Sequence, residues 1–280
     1  MLTTISARDY FEMQYALRKS LTSFAADVAE WEALSADRCF AGYHFQVEHY
    51  GENPRQTLEL FKAAPGEPGR GLAVFIHGGF WRAMQREQSR FMATPFLKRG
   101  YDCAVIEYRL MPQFRLHDLV ADTAAALRHL EEGADRLKLG GRTLIAGHSA
   151  GAHLALYATC QALGEGAAPF AGASLLLLSG VFDIFAPWHT SIGAETAIMP
   201  EEVARWSVFS GGLNLADRKA LFVAGGAETD DFKRQSLIGA QLLCGPDADE
   251  VVMVDGANHL TLLTQFAQND ALCDALLARL

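Results

Sequence analysis

The sequence lacks the cysteine pattern of a disulfide-stabilised protein. It has five cysteines among 280 residues, an odd number, and no two of them stand at C-x-x-C spacing. Several lie inside apolar runs, where cysteine usually packs as a small buried side chain. We therefore expect no disulfide framework, and a reducing cytoplasm is the predicted location. The five are Cys39, Cys103, Cys160, Cys244 and Cys273.

Other absences exclude further classes of protein. The opening MLTTISARDYFEMQ lacks the basic region and apolar stretch of a signal peptide, and no apolar run is long enough to cross a membrane. The formal net charge of −9 argues against a nucleic-acid partner, which needs a basic surface. The histidines show no metal-binding spacing such as H-E-x-x-H, so we predict no metal and no organic cofactor. The expected partner is a small-molecule substrate, with no nucleic acid and no membrane.

What is present is an ordered series of strand and helix patterns. No linker or repeat divides the chain, so residues 1–280 are expected to form a single domain. Residues 8–33 repeat apolar side chains every three or four positions, as one face of a helix does. Two alternating stretches, Tyr43–Tyr50 and Thr57–Phe61, then predict an antiparallel hairpin. Continuous apolar runs follow and predict strands covered on both faces. They are Leu72–Ile76, Cys103–Ile106, Thr143–Ala146, Ser174–Leu178, Leu221–Ala224 and Val251–Val254.

Helical patterns lie between most of these strands. They are Arg86–Lys98, Asp118–Glu132, Ala150–Leu163, Asp230–Leu243 and Leu260–Leu280. This alternation predicts an α/β fold, with a mostly parallel central sheet, an antiparallel N-terminal hairpin and helices on both faces. The hydrophobic end of the chain, Ala271–Leu280, predicts either a homodimer surface or the last core helix. In such a sheet, reactive groups are expected on turns at the carboxyl ends of the strands.

A nucleophile motif follows the strand Thr143–Ala146. The residues Gly147-His148-Ser149-Ala150-Gly151 fit G-x-S-x-G, and an apolar helical pattern comes next. A nucleophile on a tight strand-to-helix turn needs small neighbours, which the two glycines and the alanine supply. The beginning of the helix also directs backbone N–H groups at the reacting oxygen. We therefore predict Ser149 as the nucleophile and the Ala150 amide as an oxyanion donor.

A glycine loop follows the strand Leu72–Ile76 and has the sequence His77-Gly78-Gly79-Phe80-Trp81. Acyl transfer builds negative charge on the former carbonyl oxygen, and preorganised N–H donors stabilise that charge. Gly78 and Gly79 allow the backbone to approach the substrate closely, so their amides are the other candidate oxyanion donors. His77 is expected to brace the loop. Phe80 and Trp81 are predicted either as pocket walls or as packing residues.

The acid and the histidine are expected on the turns after the last two strands. Glu228, Asp230 and Asp231 all follow Leu221–Ala224, and Glu228 is preferred because the two aspartates suit the first turn of the next helix. Asp230 remains the alternative. His259 follows Val251–Val254 and is predicted as the general base.

Further pocket residues are less sharply defined. His148, beside the serine, is a candidate pocket or packing residue. Residues 181–212 are rich in aromatic and small side chains, which predicts either a short lid with Phe182, Phe185 and Trp188 facing an aromatic substrate or simple packing on the core. The N-terminal helical segment is a second candidate cover for the site.

From about Tyr50 to its end, the chain resembles the kynurenine (aryl) formamidase branch of the α/β-hydrolases, near the hormone-sensitive-lipase-like esterases. The resemblance lies in HGGFW at 77–81, YRLMP at 108–112, GHSAGAHLA at 147–155, SGVFD at 179–183, ETDDFKRQS at 228–236 and NHL at 258–260. It implies the α/β-hydrolase fold and aligns Ser149, Glu228 and His259 with the family triad. This sequence departs from the family in having glutamate where the acid is usually aspartate.

The resemblance implies hydrolysis of a small N-formyl aryl amide of the N-formylkynurenine type through an acyl-enzyme. The members of this branch share these motifs while their substrates differ, so a carboxylesterase for short-chain or aromatic esters is the alternative. A third hypothesis is a non-catalytic binding protein on the same fold. That hypothesis predicts the loss of a triad residue, whereas all three positions are filled here.

Overall fold

The fold is built on one eight-stranded sheet. The computed structural model describes residues 4–36, 42–63, 70–160, 168–215, 217–245 and 251–280. The strands are β1 (Phe45–His49), β2 (Thr57–Phe61), β3 (Gly71–Ile76), β4 (Tyr101–Ile106), β5 (Arg142–His148), β6 (Ser174–Leu178), β7 (Ala220–Gly225) and β8 (Val251–Val254). Their spatial order is β1-β2-β4-β3-β5-β6-β7-β8.

The strand directions confirm the predicted fold class. β1 and β2 pair antiparallel with Phe45 opposite Phe61, and β2 joins β4 antiparallel. Every pair from β4 through β3 to β8 is parallel. The sheet is therefore mostly parallel with an antiparallel N-terminal hairpin, and the carboxyl ends of β3, β5, β7 and β8 lie at one edge.

Helices cover both faces of this sheet. They are α1 (Ala7–Tyr15), α2 (Leu17–Ser20), α3 (Phe24–Leu34), α4 (Arg86–Ser89), α5 (Thr94–Leu97), α6 (Leu116–Glu132), α7 (Ala134–Leu137), α8 (Ala150–Cys160), α9 (Phe185–Trp188), α10 (Ser191–Thr196), α11 (Pro200–Trp206), α12 (Asp230–Cys244), α13 (Thr261–Gln268) and α14 (Asp270–Leu277). Short 3-10 helices occupy Arg90–Ala93 and Val208–Ser210. No helix within the described ranges is long and apolar enough to cross a membrane.

The core consists of two apolar layers, one on each side of the sheet. In β3, Val74 and Ile76 belong to one layer while Ala73 and Phe75 belong to the other. Successive strand side chains point to opposite faces, so a strand covered on both sides must be apolar throughout. The first layer includes residues of α6 and α8, and the second includes residues of α5 and α13. In α14, Cys273 and Leu276 are buried in the second layer.

The N-terminal segment differs from the predicted helix over 8–33. It is divided into α1, α2 and α3, with non-helical backbone at Ala16 (ψ 65°) and at Leu21 (ψ 108°). Tyr15, Ala16 and Leu17 are buried in succession, which no single helix face allows. Packing against α12, where the ring centroids of Tyr15 and Phe232 are 5.4 Å apart, overrides the helical periodicity. The predicted end of α8 at Leu163 lies outside the described residues.

Candidate active site

Ser149 occupies the sharp turn between β5 and α8. Its φ is 55°, in the left-handed region that side-chain-bearing residues seldom adopt. The turn is so tight that a Cβ on Gly147 would lie 2.4 Å from the Gly151 carbonyl oxygen. A Cβ on Gly151 would lie 2.1 Å from the carbonyl oxygen of Ile76. The glycines are therefore required by the close approach of the helix to β3, and the serine is held at the carboxyl edge of the sheet.

His259 and Glu228 form a buried pair beside this serine. The turns after β8 and β7 carry them, and His259 Nδ1 lies 2.7 Å from Glu228 Oε2. The other carboxylate oxygen accepts hydrogen bonds from the Gly225 N–H at 2.6 Å and from the Ser179 hydroxyl. Both side chains of the pair are almost fully buried, which strengthens their interaction. The geometry thus places Glu228, with its longer arm, behind His259.

The alternative acid lies elsewhere. Asp230 begins α12, its side chain is 84% exposed, and it pairs with Lys233 at 3.0 Å. It therefore serves the first turn of the helix, where a negative charge is favourable. Asp231 pairs with Arg234 at 2.9 Å in the same turn.

Ser149 and His259 line the same cavity. Among the described residues, no hydrogen bond joins the Ser149 hydroxyl to the imidazole. Such contacts are often long in a free enzyme and tighten in the substrate complex. The Ser149 N–H is already engaged, because it donates to the Leu178 carbonyl at 2.9 Å. The serine backbone is therefore fixed, and its hydroxyl makes no hydrogen bond to the described residues.

His148 supports the His259 turn. Its Nε2 lies 2.9 Å from the His259 carbonyl oxygen, and the two rings are 4.6 Å apart between centroids. Burial lowers the pKa of His148 well below its usual value, and the neighbouring His259 lowers it further. The ring is therefore neutral near pH 7 and donates its Nε2 proton to the carbonyl. His148 also lines the cavity, so both sequence hypotheses for it apply.

Three backbone amides surround the serine without acceptors. The N–H groups of Gly78, Gly79 and Ala150 make no hydrogen bond to the described residues. The loop approaches the serine closely, since a Cβ on Gly78 would lie 3.0 Å from Ser149 Cβ. Free N–H donors around a nucleophile are the arrangement that stabilises an oxyanion.

A buried polar cluster holds this loop from behind. His77 Nδ1 lies 2.8 Å from the Gly78 carbonyl oxygen, and His77 Nε2 lies 3.1 Å from Glu107 Oε1. The Tyr108 hydroxyl donates to the carbonyl oxygens of His77 and Gly78. Burial alone would raise the pKa of Glu107, but His77 and Arg55 hold it below its usual value. The cluster fixes the peptide planes of the loop, and His77 braces it as the sequence suggested.

The cavity in front of Ser149 has a volume of about 240 Å³. Its walls come from the N-terminal helices, the glycine loop and α10. The lining includes Tyr15, Leu17, Arg18, Lys19, Phe24, Val28, Trp31, Phe80, Arg82, Met84, Gln88, Ser191, Ile192, Glu195 and Leu260. The N-terminal segment therefore covers the site, and α10 is the part of 181–212 that contributes to it.

Three predicted pocket residues do not line the cavity. Trp81 is fully buried and its ring packs edge-on against His153, with centroids 5.2 Å apart. Phe182 is also fully buried and packs against Phe222. Trp188 packs against the first core layer. These three aromatic side chains therefore pack on the core and lie outside the cavity lining.

Sequence reasoning missed several residues at the site. Ser179 contacts Glu228 and has a φ of 47°, a strained conformation with no sequence signature. Arg18 and Arg82 reach the cavity from segments that carry no motif. The signals for Ser179 were its place immediately after β6, at the same edge as the other turns, and its position in the resemblance segment SGVFD at 179–183. No cluster of His, Cys, Asp and Glu able to hold a metal occurs in the part of the chain that the structure describes.

Comparisons with known proteins agree with this architecture. The BD-FAE family model matches residues 58–177, less than half of the chain. A kynurenine formamidase of Drosophila melanogaster is 37% identical over 110 residues, which cover 39% of this chain and 36% of that enzyme. A kynurenine formamidase of Salmo salar is 24% identical over 228 residues, covering 79% of this chain and 76% of that enzyme. A solved structure from Silicibacter, provisionally described as a thioesterase, has a TM-score of 0.78 at 23% identity and covers 93% of this chain and 96% of its own.

Proposed function

We propose that this chain, a serine hydrolase of the α/β-hydrolase fold that resembles the kynurenine formamidases, hydrolyses small N-formyl aryl amides of the N-formylkynurenine type. The observation that carries the proposal is the buried pair of His259 and Glu228 at 2.7 Å, of which His259 lines the same cavity as Ser149. The backbone N–H groups near the serine that have no acceptor among the described residues also support the proposal. The two formamidase relatives support the choice of a formamide as substrate.

The reaction begins with the Ser149 hydroxyl. Its oxygen bonds to the formyl carbon while its proton passes to His259 Nε2. Glu228 stabilises the imidazolium that forms. The carbonyl oxygen becomes an oxyanion and accepts hydrogen bonds from the amides of Gly78, Gly79 and Ala150.

The tetrahedral intermediate then collapses. The C–N bond breaks, and the aryl amine leaves with the proton that His259 held. A formyl ester remains on Ser149. A water molecule attacks this ester while His259 takes a proton from the water. The second tetrahedral intermediate then releases formate, and His259 returns the proton to the serine oxygen.

The cavity suits this substrate class. A formyl group is a single carbon, so the remaining space is available to the aryl amine. Phe24, Trp31 and Phe80 give the cavity aromatic walls, and flat aromatic side chains pack favourably on an aromatic ligand. The cavity volume of about 240 Å³ is on the scale of a small ligand.

The test compares a formamide with esters. We would measure kcat/KM for N-formylkynurenine, p-nitrophenyl acetate and p-nitrophenyl butyrate with the wild type, Ser149→Ala and the control Ser210→Ala, whose serine is exposed. The expected result is a preference for the formamide of at least about 100-fold, with Ser149→Ala inactive on all three and Ser210→Ala unchanged. Better turnover of the esters, with the formamide barely cleaved, would make the protein a carboxylesterase. Failure of a fluorophosphonate to label Ser149 would instead indicate a binding protein.

A further inference from the structure

The charges around the cavity differ from those of the chain as a whole. The chain has a formal net charge of −9. The cavity lining nevertheless contains three basic side chains, Arg18, Lys19 and Arg82, and a single acidic one, Glu195. A cluster of positive charge on an acidic protein is a local feature that attracts anions to the site.

One of these basic groups is neutralised by its neighbours. Lys19 pairs with Glu12, which also accepts hydrogen bonds from the Ser191 N–H at 2.8 Å and the Ser191 hydroxyl at 2.7 Å. Burial opposes ionisation of Glu12, but Lys19 and Ser191 lower its pKa to about 2. Glu12 is therefore charged at neutral pH and balances Lys19.

Arg18 and Arg82 retain N–H donors without a partner among the described residues. Among the described residues no carboxylate pairs with Arg18, whose guanidinium lies 5.7 Å from the centroid of the Phe24 ring. Arg82 pairs through Nη1 with Glu195 at 2.7 Å, while its buried Nε has no hydrogen-bond partner in the described chain. Burial lowers the pKa of Arg82, Glu195 opposes this, and the charge of Arg18 lowers it again. Arg18 and Arg82 line the same cavity, so one anion in that cavity is attracted by both positive charges.

We propose that Arg18 and Arg82 form a subsite for a carboxylate on the leaving-group side of the substrate. A carboxylate bound between them would balance both positive charges and accept hydrogen bonds from the guanidinium groups. The carboxylate must belong to the amine part, because a formyl group has no room for one. This inference rests on the proposed formamide hydrolysis and adds the residues that bind the carboxylate of the leaving amine.

The experiment uses two formamides that differ in one charge. N-formylkynurenine has a free carboxylate, and its carboxamide has the same shape without the negative charge. The wild type is expected to prefer the acid by about tenfold or more in kcat/KM. Arg18→Gln and Arg82→Gln should each reduce this preference to about threefold or less, chiefly through a higher KM for the acid. The carboxamide reports any disturbance of the glycine loop, since such damage would lower both rates.

A matched control is Arg205→Gln. Arg205 is exposed and lies 5.0 Å from the centroid of the Trp206 ring, an arrangement like that of Arg18 over Phe24. It lies outside the cavity, so the preference for the acid should stay at the wild-type value. Equal rates for acid and carboxamide in the wild type would overturn the subsite. A preference that survives in both cavity variants would overturn it as well.

Failure of the subsite can be distinguished from failure of the proposed function. If neither formamide is cleaved while p-nitrophenyl acetate is, the formamidase proposal fails. The subsite is then tested with 4-acetoxybenzoate and 4-acetoxybenzamide, two esters whose leaving groups differ only in the carboxylate. A preference for the benzoate that Arg18→Gln and Arg82→Gln abolish would support the subsite on an esterase, and its absence would refute it.

Discussion

Replacing Ser179 by glycine removes one hydrogen bond from Glu228 while leaving the backbone unstrained. The Ser179 hydroxyl donates to Glu228 Oε1, and its N–H donates to the Val223 carbonyl at 2.7 Å. Its φ of 47° is one that glycine adopts readily. Ser179→Gly therefore removes the hydroxyl and relieves the backbone strain at this φ. Ser179→Ala removes the same hydroxyl but keeps that strain, because alanine has a Cβ.

The size of the expected loss in kcat follows from the hydrogen bonds of the Glu228 carboxylate. A buried hydrogen bond to a charged group contributes about 1.5–3 kcal/mol, which corresponds to a factor of roughly 10 to 150. The Gly225 N–H still binds the same oxygen at 2.6 Å in the variant. We therefore expect the lower end of that range, a loss of about tenfold in kcat. KM should not change, because Ser179 does not line the cavity.

The assay is steady-state kinetics on one formamide and on p-nitrophenyl acetate. Ser179→Gly and Ser179→Ala should lose the same factor in kcat on both substrates, since the defect lies in the triad. The glycine variant should be at least as stable to urea as the alanine variant. Full kcat in Ser179→Gly would refute the reasoning and mean that the backbone alone holds Glu228. A raised KM with unchanged kcat would place Ser179 in substrate binding instead.

Three further predictions concern the other parts of the site. Glu228→Gln removes the charge that stabilises the imidazolium, so kcat should fall by about 10³-fold or more, and a loss below tenfold would contradict the assignment. Gly78→Ala places a Cβ 3.0 Å from Ser149 Cβ and displaces an oxyanion donor, so kcat should fall by about 10²-fold with native circular dichroism; retained activity would exclude this loop from catalysis. Burial lowers the pKa of His153 to about 4. Between about pH 6.5 and pH 4 the unfolded chain therefore binds a proton at this residue that the native ring does not bind. The free energy of unfolding falls as the pH drops through this range. The cost at pH 5 is about 2 kcal/mol. His153→Gln should reduce the stability lost between pH 7 and pH 5, measured by urea unfolding, by that amount, and an unchanged loss would show that the ring titrates normally.

The sequence predicted the positions of the site residues where these depend on local spacing along the chain. The turns that carry Ser149, Glu228 and His259 each follow a continuous apolar strand, and parallel strands bring their carboxyl ends to one edge. The position of each turn could therefore be predicted without knowing how the helices pack. The glycine loop after β3 follows the same rule.

The directions of the aromatic side chains near the site could not be predicted from the sequence. Phe80 and Trp81 are neighbours in one loop, with φ values of 48° and 60°, yet Phe80 lines the cavity while Trp81 packs against His153. Phe182 also follows a strand end, but its ring is directed into the core towards Phe222. Tertiary packing decides these directions, and no period in the sequence records it. The division of residues 8–33 into three helices has the same origin.

The N-terminal segment contacts the turns that carry Glu228 and His259 in different ways. Gln14 accepts hydrogen bonds from the Thr229 hydroxyl and the Asp231 N–H, both at 3.0 Å, and Tyr15 accepts one from Gln235. These contacts join the cavity wall to the beginning of α12, just after Glu228. The bonds that hold Glu228 itself come from Gly225, Ser179 and His259 and involve no N-terminal residue. The histidine turn differs, because the Asn258 side chain donates to the Ser23 hydroxyl at 3.3 Å and to Asp27 Oδ2 at 3.1 Å. Changes at Ser23 or Asp27 should therefore alter kcat, whereas changes at wall residues outside these contacts should alter KM and substrate preference first. One α/β core can in this way retain its triad while the segment that covers it determines which acyl compound is bound.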